Sequence, residues 1–504
     1  MCGIAATWGR QSNGKVRSMM ATMTHRGPDA DGTFHAAGGQ AALGHTRLSI
    51  MDPRGGQQPI VSGDGRRALA ANGEIYNYPD VRPELERRHR FRTSSDSEAI
   101  LHLYEEYGTE LVHHLDGMWA FALLDDDDLV VARDPIGIKP LYYGERDGEL
   151  VFGSELKSLA GQAEDVREFP PGTLFHSEHG WETFYEVPDL PSEEDAVESW
   201  IRAIRRGMED CVAKQKMSDV PVGAFLSGGL DSSILAALLR RYNDNLHTFA
   251  VGIEGSGDLE AARVVAEHLD TIHHEHVITR EEIAEHLPEI VWHLESFDQD
   301  LVRSAVPTYF TARMAREHVT VILTGEGADE LFAGYDYHKD IEGEDRLREE
   351  LRRSIGALHN VNLQRVDRMT MAHSLEGRPP FLDNAVIELA QRVPARLKLP
   401  EGGPEKWILR KAFEDLLPED IVWRKKAQFD QGTGMTEVAA EVASAAMSDA
   451  GEDAHRARFP HERLRSTEEC YYHRLLVDAF EDPDPVLANV GRWTDRPSDL
   501  ASVV

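Results

Sequence analysis

The hydrophobic and polar positions of this chain follow one rhythm in its first part and another in its second. In the first part, Gly and Asp turns separate short apolar runs, which cover residues 118–124, 129–132, 139–143 and 150–152. Closely spaced runs of this kind predict an antiparallel sheet. Residues 44–52 predict a further strand, and the apolar spacing over 99–107 predicts an amphipathic helix.

From about residue 192 the pattern alternates between helical and extended segments. Helices are predicted over 192–214, up to 241 and over 259–269, and strands are predicted to end at 226, 253, 278 and 323. This alternation is typical of a parallel, doubly wound α/β sheet, whose ligands bind at the carboxyl ends of its strands. Two polar loops, 227–233 and 324–330, lie at such ends.

The change of rhythm divides the chain into domains. At 504 residues the protein is too long for a single hydrophobic core. We predict a first domain over residues 1–190 and a second over 191–445 with a helical C-terminal part. Residues 446–504 are interpreted as an acidic, weakly patterned tail without assigned chemistry.

The charge balance limits the classes of partner. The chain has 54 basic and 88 acidic residues and a net charge of −34, which argues against binding nucleic acid. Because the acids are spread along the chain, a high-salt cytoplasm that screens them is one hypothesis. No apolar run reaches the length of a membrane span and no signal pattern opens the chain, so we predict a cytoplasmic protein without a membrane partner.

The loop 227–233 reads Ser-Gly-Gly-Leu-Asp-Ser-Ser between a predicted strand and a predicted helix. Glycines at a helix N-terminus expose several backbone N–H groups, which is where proteins hold phosphate oxygens. Asp231 would repel a phosphate unless a metal ion lay between them. The alternative is an ordinary glycine turn that caps a helix, with Ser232 as the cap.

The loop 324–330 also leaves a strand and enters a helix. Asp329 is placed to share a metal ion with Asp231, and Glu326 to move a proton or orient an acceptor. The alternative is that these acids only complement the helix dipole. Further along, the basic run 424–426 beside Trp423 is interpreted as an anion clamp or as an exposed helix face.

Cys2 directly follows Met1. Removal of Met1 would place a thiol and a free α-amine on one residue. The usual pKa of a thiol is about 8.5 and that of an α-amine about 8, so the amine is a suitable base for the thiol. The alternative is a small, buried N-terminal residue.

Other polar residues of the first part have two interpretations each. Asn72-Gly73 offers a side-chain amide and an unhindered N–H for an oxyanion, or forms a plain hairpin turn. Arg47 clamps a carboxylate or makes a surface salt bridge. Asp96 binds an ammonium group or caps the helix that follows it.

Taken together, these motifs resemble the glutamine-hydrolysing asparagine synthetases from Cys2 to about residue 432. The first half is similar to class II glutamine amidotransferase domains, in residues 1–4, 25–29, 47–50, 72–74, 96 and 133–142. The second half is similar to ATP-pyrophosphatase-type synthetase domains, in residues 227–233, 249–252, 324–330, 380–383, 426 and 428–429. The resemblance implies an α+β N-terminal-nucleophile hydrolase domain of stacked antiparallel sheets between helices, followed by the α/β synthetase domain.

The resemblance also implies roles for single residues. The catalytic residues that it implies are Cys2, Asn72, Gly73, Glu326 and Lys426. Glutamine is bound by Arg47, Leu48, Ser49, Ile50, Met51, Asn72, Gly73, Glu74 and Asp96. ATP is bound by Leu226, Ser227, Gly228, Gly229, Asp231, Ser232, Val251, Thr324 and Gly325, with Mg²⁺ on Asp231 and Asp329. Arg378 and Asp383 are candidates for the acceptor pocket, although Pro379-Pro380 stands where relatives usually have one proline.

The implied reaction converts aspartate, ATP and glutamine to asparagine, AMP, pyrophosphate and glutamate, through a glutamyl thioester and β-aspartyl-AMP. Its partners are these small molecules, and a homodimer is compatible with it. An amidotransferase that acts on another carboxylate is the alternative. A ring-closing relative that uses no ammonia is a further alternative, against which Cys2 and the intact Asn72-Gly73 argue. A non-catalytic nucleotide sensor is another, against which the combination of Cys2, Asp231, Asp329 and Lys426 argues.

Overall fold

The computed structural model describes residues 2–9, 14–191, 196–426 and 429–492. Met1 and Gln428, which belong to the motifs quoted above, lie outside these residues. The start of the helix predicted from residue 192 and the end of the predicted tail lie outside them too.

The elements of the first domain come first in the chain. Its strands are β1 (Gly3–Trp8), β2 (Ala30–His35), β3 (Ala41–Arg47), β4 (Ile60–Val61), β5 (Arg67–Ile75), β6 (Gly117–Asp125), β7 (Asp128–Arg133), β8 (Tyr142–Arg146), β9 (Glu149–Gly153), β10 (Glu164–Glu168), β11 (Thr173–His176) and β12 (Gly180–Thr183). Its helices are α1 (Lys15–Ala21), α2 (Tyr78–Leu85) and α3 (Glu98–Tyr107), with 3₁₀ turns at Thr24–Arg26, Gly108–His114 and Leu156–Ser158.

The second domain follows with longer helices. Its strands are β13 (Val222–Phe225), β14 (His247–Gly252), β15 (Ile272–Val277), β16 (Val321–Leu323) and β17 (Glu376–Arg378). Its helices are α4 (Val197–Gln215), α5 (Leu230–Arg240), α6 (Gly257–Leu269), α7 (Arg280–Leu294), α8 (Gln299–Arg316), α9 (Ala328–Phe332), α10 (Glu344–Gly356), α11 (Asn362–Met371), α12 (Asn384–Arg392), α13 (Ala395–Lys398), α14 (Trp407–Phe413), α15 (Glu419–Val422), α16 (Phe429–Gly432), α17 (Met435–Ala446), α18 (Asp449–Arg458), α19 (Thr467–Ala479) and α20 (Asp484–Leu487). Among the described residues, none of these helices is long and apolar enough to cross a membrane.

Two antiparallel sheets form the first domain. Their strand orders are β10-β8-β9-β1-β3-β2 and β12-β11-β7-β6-β5-β4. Side chains on alternate strand positions, among them Ile4, Leu43, Ala70 and Phe152, fill the space between the sheets. Helix α1 packs on the outer face of one sheet, and α2 and α3 pack on the outer face of the other. This arrangement confirms the predicted stack of sheets between helices.

The second domain contains a parallel sheet of order β15-β14-β13-β16-β17. Helices α4, α5 and α6 pack on one face of this sheet, and α8 and α11 on the other. The strand order reverses between β13 and β16, which is the point where a doubly wound sheet binds its ligands. The loops 227–233 and 324–330 both leave this point, so the predicted architecture and the position of the loops are confirmed.

The predicted tail differs from the structure, which describes it to residue 492. Helices α18, α19 and α20 lie there, and α19 packs against α7 and α17 through Cys470, Tyr472 and Leu476. The apolar pattern is hard to read in the sequence because acids interrupt it. Two of them, Glu468 and Glu469, are buried through ion pairs with arginines, so they belong to the core rather than to an exposed face.

A group of buried charges joins the two domains, and we call it the interdomain ion cluster. Its members are Arg26, Glu155 and Lys157 of the first domain and Glu295, Asp367 and Arg368 of the second. The first domain supplies an excess of one positive charge and the second an excess of one negative charge. The cluster is therefore neutral only when the domains are packed together.

Glu295 is the member of the cluster whose loss we expect to cost the most stability. It is fully buried, accepts the N–H groups of Leu156 and Lys157 at 3.0 and 2.7 Å, and pairs with Arg368 at 2.8 Å. Glu295→Ala would leave buried donors and cations unpaired, and we expect it to lower the free energy of unfolding by about 3–5 kcal/mol. Urea unfolding measures this. The exposed Asp244→Ala is the control, and an equal, small shift of both midpoints would contradict the expectation.

Candidate active sites

Cys2 lies immediately before β1 with only 7% of its surface exposed. Its backbone N–H donates to Asn72 Oδ1 over 3.0 Å, and its thiol lies 3.9 Å from the Leu48 carbonyl oxygen. Burial raises the pKa of the Cys2 thiol, so formation of the thiolate requires a nearby base. Removal of Met1, which stays a prediction, would give Cys2 a free α-amine that could act as such a base within the same residue.

Asn72 and Gly73 lie within β5 and pair with β6, so the hairpin-turn interpretation is wrong. Asn72 is fully buried. Its Oδ1 accepts from Cys2, whereas its Nδ2 has no hydrogen-bond partner in the described part of the chain. A buried amide donor without a partner, next to a thiol, fits the predicted oxyanion role of Asn72, which stays a prediction.

Gly73 allows the close approach of β5 to β6 at this point. Its φ is +146°, and an added Cβ would lie 2.0 Å from the Met118 carbonyl oxygen. No other residue fits such a position without moving the strands apart. The glycine therefore fixes the backbone beside the Asn72 amide.

Arg47 ends β3 and is 3% exposed, which is not the surface salt bridge of the alternative interpretation. Its guanidinium donates to the carbonyl oxygens of Met51 at 3.1 Å and of Asp52 at 2.8 Å. These bonds curl residues 48–52 back over Arg47, so the strand predicted over 44–52 stops at Arg47. They also hold the loop beside Cys2, and a role on a glutamine carboxylate stays a prediction.

The run 47–51 is predicted to bind glutamine as a whole. Leu48 and Ile50 instead bury their side chains in a small apolar cluster with residues of the second domain, while Ser49 and Met51 are partly exposed. Leu48 and Ile50 can therefore meet glutamine only through their backbone. Their side chains help to fix the domain interface.

Asp96 and Glu74 are two buried acids near the end of β5. Helix α3 begins at Glu98 after Ser97, and the Asp96 carboxylate accepts the Ile75 N–H over 2.6 Å, so its predicted helix-capping alternative is wrong. Burial raises the pKa of Asp96 to about 6. Burial also raises the pKa of Glu74, and the neighbouring Asp96 raises it further. A cationic group of a ligand would stabilise the ionised form of both carboxylates and so lower their pKa values.

The second site is a cavity of ≈ 490 Å³ at the carboxyl ends of β13, β14 and β16. The predicted residues that line it are Leu226, Ser227, Gly229, Asp231, Ser232, Val251, Thr324, Gly325, Glu326, Asp329 and Lys426. Leu226, Val251 and Phe249 give it an apolar part that suits an adenine ring. The basic residues Arg424 and Lys425 line it as well, in agreement with the anion-clamp interpretation of the run 424–426.

The Ser-Gly-Gly loop places the N-terminus of helix α5 at this cavity. Helix α5 begins at Leu230 after the N-cap Gly229, four residues before the predicted start, so Ser232 is not its cap. The Ser232 hydroxyl lies 3.1 Å from that of Ser227 and accepts the Ser227 N–H over 3.2 Å. The loop is thus closed on itself by its two serines, and it lies at the N-terminus of α5, where phosphate oxygens are commonly held.

Gly228 is the tightest point of the loop. Its φ is +70°, and an added Cβ would lie 2.4 Å from the backbone carbon of Ala261 on α6. Gly228→Ala should therefore raise the KM for ATP at least ~tenfold, because the cradle shifts. Titration of pyrophosphate release with ATP measures it. Gly255→Ala is the control, since its φ of +77° is similar but its Cβ meets open space. Equal effects of the two variants would contradict the steric argument.

Two acids and two lysines meet in the cavity. Asp231 Oδ2 and Asp329 Oδ1 lie 2.5 and 2.6 Å from Lys406 Nζ, and Lys426 also pairs with Asp329. Burial alone would raise the pKa of Asp329, but the two lysines hold it well below its usual value. The predicted convergence of Asp231, Asp329 and Lys426 is therefore present.

The same group of residues tests the predicted magnesium site. Its donors are carboxylate oxygens, the ligands that Mg²⁺ prefers. Asp231 Oδ1 is buried and has no hydrogen-bond partner among the described residues, so one oxygen remains for a cation. Asp231 and Asp329 therefore fit the predicted role, and these two residues would hold Mg²⁺.

Glu326 lines the cavity and accepts a 2.5 Å bond from Arg365 on α11. Burial raises the pKa of Glu326, and Arg365 opposes this rise. Nearby, burial raises the pKa of Glu330 to about 7, and the Tyr335 hydroxyl donates to it over 2.5 Å. This side of the cavity therefore carries acids that can hold or release a proton.

Arg378 and Asp383 do not line this cavity. Arg378 is fully buried and donates to Glu376 and to the Gln215 carbonyl oxygen, while Asp383 caps α12 and pairs with Lys214 at 2.5 Å. Both charges are already neutralised at the domain interface. The structure thus places both residues outside the pocket that the sequence interpretation gave them.

Sequence reasoning missed Arg365 and Lys406. Arg365 lies inside the amphipathic helix α11 without a motif around it. Lys406 has a left-handed φ of 56° after a Gly- and Pro-rich turn. The Gly- and Pro-rich turn before Lys406 was the signal available in the sequence. Such a turn can place the next residue in the left-handed conformation, and non-glycine residues in this conformation often lie at functional sites.

Comparison with known proteins agrees with both halves of this geometry. The family described as "Glutamine amidotransferase domain" matches residues 1–181, and the family "Asparagine synthase" matches residues 203–342 and 339–485. "Asparagine synthetase [glutamine-hydrolyzing] 1" of Arabidopsis thaliana is 37% identical over 95% of this chain and 86% of its own length.

Two further relatives have similar coverage. The "Asparagine synthetase [glutamine-hydrolyzing]" of Sandersonia aurantiaca is 38% identical over 95% of this chain and 96% of its own. "Asparagine synthetase B [glutamine-hydrolyzing]" of Escherichia coli (strain K12) is 38% identical over 93% of this chain and 88% of its own. The chain belongs to the family of glutamine-hydrolysing asparagine synthetases.

Proposed function

We propose that this protein makes asparagine from aspartate, ATP and glutamine, and that it releases AMP, pyrophosphate and glutamate. The observation that carries the proposal is the presence of both sites in one chain. In the first domain, the buried Cys2 lies beside the amide donor of Asn72. In the second domain, which packs against the first, the Ser-Gly-Gly loop and a group of two acids and two lysines line one cavity. Family membership supports the same reaction.

In the first site Cys2 attacks the side-chain amide of glutamine, and its own α-amine takes the thiol proton. Asn72 Nδ2 donates to the oxyanion that forms, which is worth about 3–4 kcal/mol for one such donor. Arg47, Glu74 and Asp96 hold the charged end of glutamine. Ammonia leaves with the proton from the amine, and water then releases glutamate from the thioester.

In the second site the adenine of ATP lies against Leu226 and Val251, and the 227–233 loop holds its phosphates. The aspartate side-chain carboxylate attacks the α-phosphorus, and pyrophosphate leaves. Lys406 and Lys426 offset the charge on the phosphates, and Mg²⁺ on Asp231 and Asp329 supplies Lewis-acid chemistry when bound. Ammonia then displaces AMP from the acyl-adenylate.

Arg365 and Glu326 are our candidates for the acceptor side of the cavity. An arginine fork matches a carboxylate, and Arg365 lines the cavity, where it donates to Glu326. Glu326 would accept a proton as ammonia attacks, which fits an acid whose pKa is raised by burial. Aspartate, which has two carboxylates and one ammonium, matches this pair.

Further properties follow as proposals. Carboxylate donors support Mg²⁺ as the metal, and the net charge of −34 supports a high-salt cytoplasm. Activity that peaks in dilute buffer and declines in molar KCl would contradict the salt proposal. A homodimer stays a prediction that sedimentation measures.

Pyrophosphate release with different acceptors tests the reaction. With ATP and glutamine present, aspartate should raise the rate at least ~100-fold, whereas glutamate, one methylene longer, should not, because misplacing the reacting carboxylate is costly. No stimulation by aspartate would exclude asparagine synthesis. Stimulation by another carboxylate would favour the related amidotransferase instead.

The pH dependence of glutamine use should report Asp96. Its carboxylate must be ionised to bind the glutamine ammonium, and its pKa is raised to about 6 by burial. We expect the wild-type kcat/KM for glutamine to follow the limb of the Cys2 α-amine at higher pH and, because of Asp96, to fall by a further ~tenfold per pH unit below about 6. Asp96→Asn should lower kcat/KM at high pH and remove this acid limb. An unchanged limb in the variant would assign it to another group.

A further inference from the structure

A residue of the second domain holds the arginine that fixes Cys2. Arg26 Nε donates to the Cys2 carbonyl oxygen over 2.9 Å. The other two nitrogens of this guanidinium meet the Asp367 carboxylate, Nη1 to Oδ2 at 2.7 Å and Nη2 to Oδ1 at 3.1 Å. Arg26 is fully buried and Asp367 is 3% exposed, so bulk water cannot replace these bonds.

Asp367 differs from the other anion at this arginine. Glu155 touches Arg26 through Nη1 alone, at 2.7 Å, and its carboxylate also receives Lys157 and Arg368. A fork of two parallel bonds fixes the plane of a guanidinium, whereas a single shared contact lets it rotate. The orientation of Arg26 therefore depends on Asp367.

We propose that Asp367 is a positioning residue for glutamine hydrolysis, an inference that rests on the proposed function. Arg26 donates to the backbone carbonyl oxygen of Cys2, and the base and the nucleophile of the reaction both belong to Cys2. A small rotation of the guanidinium would thus move the amine and the thiol together, away from Asn72 and the glutamine amide. Catalysis is sensitive to displacements of this kind.

The inference makes the first site incomplete without the second domain. Asp367 lies on α11, and the same helix carries Arg365, which pairs with Glu326 in the ATP cavity. A variant of Asp367 must therefore be assayed at both sites. Loss at the first site alone identifies positioning of Cys2, whereas equal loss at both identifies damage to α11.

The test compares Asp367→Ala, Asp367→Asn and Asp116→Asn in the full-length protein. Glutaminase kcat should fall at least ~tenfold in Asp367→Ala while the KM for glutamine stays within ~twofold, because the glutamine-binding residues are untouched. Asp367→Asn keeps the shape and one acceptor, so its kcat should lie between Asp367→Ala and wild type. Asp116→Asn removes a different interdomain ion pair, with Lys214 at 2.6 Å, and should retain the wild-type kcat.

Asparagine formation from added ammonia is the second readout, and it should stay within ~twofold of wild type in all three variants. A wild-type kcat in Asp367→Ala, or equal loss of both activities in a folded variant, would overturn the inference. If Asp367→Ala does not fold, an unchanged glutaminase kcat in Asp367→Asn overturns it. Absence of glutaminase activity in the wild-type protein would refute the proposed function itself.

Discussion

Cys2→Ala should lower asparagine formation from glutamine at least ~10⁴-fold, because the nucleophile is lost and no step of thioester formation remains. Asparagine formation from added ammonia should continue, since Cys2 lies in the other domain from the ATP cavity. Alanine also removes little volume, so the packing around β1 is kept. Coupled detection of asparagine with each nitrogen source measures both activities.

Cys211→Ala is the matched control for this variant. Cys211 is also buried, but it lies on α4 and contacts the Pro380 carbonyl oxygen, so both activities should survive its loss. Retention of glutamine-dependent synthesis in Cys2→Ala would refute the nucleophile. Mass spectrometry of the native N-terminus gives independent information, because a retained Met1 would leave Cys2 without a free amine.

Asp231→Asn should lower pyrophosphate release by about 100–1,000-fold, as removal of one fixed electrostatic group commonly does. Asp231 and Asp329 balance Lys406 and Lys426, so the amide leaves one excess positive charge near the phosphates. If Asp231 served only to offset lysine charge, ATP would bind more tightly and the rate would survive. If it holds the metal, as we propose, the rate falls and half-saturation needs more Mg²⁺.

The kinetics of ATP and Mg²⁺ separate these two outcomes. Asp244→Asn, an exposed acid just beyond α5, is the control and should behave as wild type. Glutamine hydrolysis should persist in Asp231→Asn, which shows that the protein is folded. A wild-type rate with tighter ATP binding would exclude the metal role of Asp231.

Residues from the local motifs lie together at both candidate sites, and their roles there stay predictions. The Ser-Gly-Gly loop follows a strand and opens a helix, and this context favours phosphate binding over an ordinary glycine turn. Asn72 and Gly73 were ambiguous between an oxyanion hole and a turn, since both need a small residue with unusual φ. Only the pairing of β5 with β6 excludes the turn, and the oxyanion role stays a prediction.

Residues that act across the domain interface could not be predicted. Arg378 and Asp383 were assigned to the acceptor pocket because they lie in or next to the motif 380–383. In the structure their charges are neutralised by Glu376 and Lys214 at the domain interface. Arg365 and Asp367 are ordinary positions of an amphipathic helix until the fold places each beside a different site. Similarly, Pro140 removes a backbone donor from the strand expected over 139–143, which begins at Tyr142.

Transfer of the glutamine amide nitrogen to asparagine is the central claim, and labelling measures it directly. The protein would be incubated with ATP, aspartate and glutamine carrying ¹⁵N in its side-chain amide, and the asparagine would be analysed by mass spectrometry. We predict asparagine with ¹⁵N in its side-chain amide, formed together with AMP and pyrophosphate. No asparagine, or asparagine without the label, would contradict the account.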